Sequence, residues 1–198
     1  MIFKMNEGLS LLSHCLPCEA TCCKVSDSIG SPILSEDEAS KIEKISKRST
    51  RKVESPTGQE YYTLLEREDG KCYLLTRRNR CRAQKAKPLD CLSYPIKAVY
   101  GENSVEFILD PNCPASEHLT EEFIQSAKIV ALDSMARFDS KTYNHWLENN
   151  VGWVKMGVIE HAFPNGNDLE IFVRREFPLG ISSCPIAWNK VRLAFTGP

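Results

Sequence analysis

An α+β fold is predicted: a small metal-stabilised domain of β-hairpins and flanking helices, followed by a β-rich C-terminal extension. Three observations predict it. Apolar residues recur at helical spacing near 36–47 and again from 120. Short apolar segments meet at tight-turn residues near 69–70 and 101–103. Eight of the nine cysteines crowd residues 15–113 and only Cys184 lies beyond, which sets a boundary near 115. The expected parts are therefore a cysteine-cluster metal-binding domain, 1–115, and a helical then β-rich extension, 116–198, packed on it.

The first helix is the clearest element. Ser35 and Glu38 form a capping box, and Ala39, Ile42 and Ile45 give one apolar stripe over 36–47. Residues 46–59 read as an exposed basic loop. Tyr61 to Leu65 and Cys72 to Leu75 read as a hairpin turning at Asp69-Gly70, since that pair favours the primed turn. Residues 94–100 and 104–109 read as a second hairpin around Gly101 to Asn103. A helix is expected from Thr120, where Glu121 and Glu122 suit its positive end. Phe123, Ala127, Val130 and Ala131 form its buried face. A short helix follows near 140–148, then a β-rich stretch over 153–195 with a turn at Pro164 to Asp168.

Composition narrows the function. At 198 residues with 42% hydrophobic and 26% charged residues, the chain can bury a core without disulfide staples. A net charge of −1 gives no overall pull toward nucleic acid or membrane. No stretch reaches the roughly eighteen apolar residues of a membrane helix, and the first twenty residues lack a signal-peptide pattern. The expected compartment is the cytoplasm, where thiols stay reduced and many cysteines point to metal or redox chemistry.

The cysteine spacing supports that. Cys15, Cys18, Cys22 and Cys23 form a C-x2-C-x3-C-C pattern, and a C-x2-C step lets two sulfurs reach one metal. On a helix Cys15, Cys18 and Cys22 share a face, while Cys23 points about 100° away from Cys22. Adjacent cysteines thus suit two sites or one multinuclear cluster. Cys72, Cys81, Cys91 and Cys113 form a second, dispersed group, with prolines near Cys91 and after Cys113. Thiolate ligation excludes magnesium and calcium and admits zinc or a 4Fe-4S cluster. Eight sulfurs and an adjacent pair are generous for structural zinc, which favours iron–sulfur. The gaps are reversed from the radical-SAM C-x3-C-x2-C order, so radical chemistry is not inferred.

Cys15-x2-Cys18-x3-Cys22-Cys23, the Gly70-Lys71-Cys72 step, Cys81 and the run Pro88 to Pro95 around Cys91 resemble the YkgJ-type cysteine-cluster family over about residues 13–115. That family is described as zinc- or iron-chelating. Its members are often labelled iron–sulfur oxidoreductases, and the flagellin lysine methylase carries a similar cluster. The resemblance implies metal ligation by Cys15, Cys18, Cys22, Cys23, Cys72, Cys81, Cys91 and Cys113. Ala20, Lys87 and Leu92 stand where the family often has glycine, arginine and arginine. Residues 116–198 fall outside it, so methylase activity does not carry over to them.

The expected function is a metal-binding protein with a possible redox role. Its alternative is a structural-zinc module that binds a protein partner, or an accessory subunit of a lysine-methylase-like enzyme. Arg77, Arg78, Arg80, Arg82, Lys85 and Lys87 surround Cys81 and read as a solvated face, a charge offset for thiolates, or a phosphate patch. His14 beside Cys15 is a spare ligand candidate. His118, His145 and His161 lack ligand spacing, and Trp146, Trp153 and Trp188 read as packing residues. No dinucleotide, P-loop or nucleophile-elbow motif occurs, and no catalytic residue is assigned.

Overall fold

The computed structural model describes residues 20–24, 30–100, 105–110 and 113–151, and the backbone of 170–173 and 189–192. The fold is α+β. A three-stranded antiparallel sheet has the order β1-β3-β2, from Ile33–Leu34, Thr50–Glu54 and Glu60–Leu64 as β1, β2 and β3. Strands β4 (Ile96–Tyr100) and β5 (Val105–Leu109) pair as the expected hairpin, Ile96 opposite Leu109 and Tyr100 opposite Val105. In the C-terminal part β6 (Glu170–Val173) pairs antiparallel with β7 (Asn189–Arg192); the turn expected at 164–168 lies outside the described residues.

Helix α1 (Glu36–Ile45) starts as its capping box dictates: the Glu38 amide donates to Ser35 Oγ at 3.4 Å and the Ser35 amide to Glu38 Oε2 at 2.9 Å. Helix α2 (Leu89–Ser93) carries Cys91. Helix α3 (Glu121–Met135) is capped by Thr120, and α4 (Ser140–Asn150) by Asp139, whose carboxylate accepts from the Thr142 amide at 2.8 Å. On α3, Phe123, Ala127 and Ala131 are buried as expected; Val130 is half-buried, and Ile124 and Met135 complete the face.

Two expectations need correction. The stretch 46–59 is not all loop, because Thr50–Glu54 is the edge strand β2, paired along its whole length with β3. Its charges hid it: an edge strand meets water, and charge there also blocks pairing with other chains. Residues 72–75 do not form the return strand of a hairpin with β3. The chain does reverse at Asp69-Gly70, where Gly70 takes φ 71° and its amide donates to Arg67. Only an isolated bridge, Glu66 to Cys72, then forms. A turn follows at once, the Leu75 amide donating to the Cys72 carbonyl at 2.9 Å, and it drives both Leu74 and Leu75 inward. Strand alternation cannot bury two consecutive leucines on one face.

Helices α3 and α4 share a core with the strands that precede them. Ile33, Tyr61, Ala98, Val99 and Ile108 from the sheets pack with Ala131, Met135, Tyr143, Trp146 and Leu147. Polar tips are satisfied there: the Trp146 indole donates to the Ser31 carbonyl at 2.9 Å, and the Tyr143 hydroxyl to that of Ala98 at 3.0 Å. A second cluster gathers Leu34, Ile42, Leu64, Leu74, Leu75 and Ala83 around Cys72, with Cys23 and Cys81 against it. No helix among the described residues is long and apolar enough to cross a membrane.

Candidate metal centre

The second cluster opens on a cavity of about 60 Å³ whose wall includes Cys22, Cys23, Cys72, Cys81 and Cys91. Three separate stretches of chain bring these thiols together. Cys22 and Cys23 sit in a short 3-10 turn, Thr21–Cys23, entered through Ala20 in a left-handed conformation at φ 57°. The Cys72 amide donates to the Cys23 carbonyl at 2.7 Å, and Lys24 bridges Lys71, which fastens the first cysteine group to the second. Cys81 closes a tight turn by bridging Leu75. Cys91 arrives on α2, whose first amide, Leu89 N–H, donates to Glu38 Oε1 at 2.8 Å. One carboxylate therefore caps α1 and holds the start of the Cys91 helix.

Cys113 is buried but does not line the cavity; it lies beside Tyr94, which does. Cys15, Cys18, Cys184, His14 and His161 lie outside the described residues. His145 serves the core, its Nδ1 3.2 Å from the Tyr61 hydroxyl, and His118 is exposed. Cys22, Cys23, Cys72, Cys81, Cys91 and Cys113 are all free thiols.

The sequence reading missed Lys97. It and Asp90 line the same cavity and are nearly inaccessible, at 6% and 4% side-chain exposure. The ammonium donates to both carboxylate oxygens, at 2.7 and 2.8 Å, and lies 4.8 Å from the centre of the Trp146 ring. The available signal was a lysine within Ile96-Lys97-Ala98-Val99, an otherwise apolar strand. Buried charges survive only when paired. Tyr94 donates to Asp110 at 2.9 Å, just beyond the cis Tyr94–Pro95 peptide.

Thiol acidity is uneven around the wall. The sulfurs of Cys22 and Cys23 are 3.9 Å apart. The hydrogen bond shared with Cys23, with Lys87 nearby, brings Cys22 down to about 7 against its burial. The same bond, with burial and neighbouring sulfurs, pushes Cys23 up. Burial lifts Cys72 to about 11 and raises Cys81, Cys91 and Cys113. Cys22 is thus the most acidic thiol on the wall, and its neighbours are pushed the other way.

The donor set suits zinc or an iron–sulfur cluster in kind, being sulfur on an otherwise mainly apolar wall. Among the described residues, no three His, Cys, Asp or Glu side chains are gathered as ligands of a single ion. The sulfurs line a cavity rather than converge on a point. The chain matches no family model, no curated protein and no solved structure.

Proposed function

We propose that the thiol-lined cavity is a metal centre and that its filling is an iron–sulfur cluster. The observation that carries this reading is the meeting of five free cysteines from three chain segments on one wall. The number of sulfurs and the adjacent Cys22-Cys23 pair favour a cluster over one zinc ion, for which four thiolates suffice.

Cys22, Cys23, Cys72, Cys81 and Cys91 would hold the metal. Cys113 and the sequence-assigned Cys15 and Cys18 complete the candidate set. A bound cluster would supply one-electron redox chemistry, and zinc would supply rigidity alone. The chain's own residues do the rest. Lys87 and Lys97 place positive charge beside the thiolates, and Asp90 fixes Lys97. Leu64, Leu74, Pro32 and Pro88 keep the wall apolar. The left-handed Ala20, where the YkgJ-type family often carries glycine, agrees with membership of that family. Six free cysteines agree with a reducing, cytoplasmic setting.

Anaerobic purification followed by elemental analysis and an optical spectrum tests this. Brown protein with iron and sulfide, lost in Cys22→Ser and Cys91→Ser, is the expected result. Colourless protein with stoichiometric zinc would replace the cluster with zinc. Protein without either metal would overturn the proposal.

A further inference from the structure

Between Asp69 and Asp90 the sequence holds seven cations and no acid, although the whole chain nets −1. The remainder therefore carries an excess of acid, and this segment is an island of positive charge. Arg77, Arg78, Arg80, Arg82 and Lys85 are all exposed. None of the five forms an ion pair among the described residues.

The island is built on a fixed turn. The Thr76 amide donates to the Arg80 carbonyl at 2.9 Å, and the Asn79 amide to Thr76 at 3.1 Å. The Arg80 amide donates to Thr76 Oγ1 at 3.1 Å. Leu75 and Ala83, at 1% and 0% exposure, root the turn in the apolar cluster. Cys81 lies in its midst, and both Cys81 and Lys87 line the thiol cavity. The fixed turn limits the backbone entropy lost on binding. Four arginines offer planar forks that pair two-to-two with carboxylates.

We propose that the turn at 76–82 is a docking face for a protein partner that presents clustered carboxylates. The whole chain nets −1, so a long polyanion gains little beyond the turn itself, whereas a compact acidic face needs only the turn. No aromatic residue lies between Thr76 and Pro88 to stack on bases. This inference goes beyond the metal reading and stands without it.

The test uses a fluorescent ten-residue Asp/Glu peptide, followed by anisotropy on the full chain. Binding is expected at about 20 mM salt and should weaken about tenfold or more near 300 mM, because exposed charges are screened over that range. The variant R77E/R78E/R80E/R82E should lose binding about tenfold or more while keeping its melting temperature. Carbodiimide coupling of the peptide to the unmutated chain should mark Lys85 or Lys87, and that readout stands even where the variant does not fold. No binding, coupling scattered over other lysines, or unchanged binding by a folded variant would overturn the proposal. So would tighter binding of a single-stranded oligonucleotide of equal charge, which would assign the face to nucleic acid.

Discussion

At position 30 only a hydrogen fits. The backbone there takes φ +74°, and an added Cβ would fall on the carbonyl oxygen of Asn150, at the end of α4. Gly58 has a similar φ of +82° but open space around it. Gly58→Ala should therefore cost about 1–2 kcal/mol of left-handed strain. Gly30→Ala should cost clearly more, because backbone cannot yield as a side chain does; urea unfolding of both variants compares them directly. Thr63 makes the opposite case. Its hydroxyl is buried in β3 with no hydrogen-bond partner. Thr63→Val should raise stability by about 1 kcal/mol, and a lowered urea midpoint would contradict the assignment. Lys97→Met strands a buried carboxylate and should cost about 3–5 kcal/mol, much of it recovered in Asp90→Leu/Lys97→Met. A single variant as stable as the parent would mean the pair is not buried as described.

Among the elements, α1 shows how a local signal acquires a distant role. Ser35 and Glu38 are legible as a capping box because their partners lie three residues apart. The sequence cannot tell that the second oxygen of Glu38 accepts from Leu89, or that Arg137 approaches its carboxylate to 3.3 Å. Those partners are 51 and 99 positions away, and only the tertiary fold brings them near. The far end of α1 is secured by Glu43, which accepts from the amides of Arg48, Ser49 and Thr50 at 2.6, 2.9 and 2.8 Å. Burial opposes its ionisation, but the bonds from Thr50, Arg48 and Ser49 outweigh that and hold the carboxyl below its ordinary range. A depressed carboxylate contributes stability above its unfolded pKa and loses it as pH falls through the folded one. Stability should thus decline on acidification toward and below the ordinary glutamate range. Glu43→Gln should flatten that decline, which unfolding midpoints measured from neutral pH to pH 3 would show.

Across the whole molecule, the two main apolar clusters divide the labour. The one around Trp146 contains no cysteine, whereas the one around Leu74 includes Cys72 and abuts Cys23 and Cys81. Removing the metal proposed above should therefore loosen residues 71–83 and leave β4, β5 and α4 intact. Hydrogen exchange with and without chelator separates these outcomes: equal loss of protection everywhere would show that the metal holds up the entire fold. This narrows the metal-binding domain expected over 1–115, because β4 and β5 lie in that range yet draw their packing from α3 and α4.

The α+β class, the capping box of α1, the helices near 120 and 140–148, the β4–β5 hairpin and the crowding of cysteines ahead of residue 115 were all legible in the sequence. Each is a local pattern of spacing, turn residues or residue type, readable within a few positions. The folded chain shows which of the described cysteines share a wall, that Cys113 lies beside Tyr94 off that wall, and that Asp90 and Lys97 form a buried pair lining it. It also shows that a charged stretch, Thr50–Glu54, is a strand. These depend on contacts between distant segments, where burial and pairing partners override what any residue prefers alone.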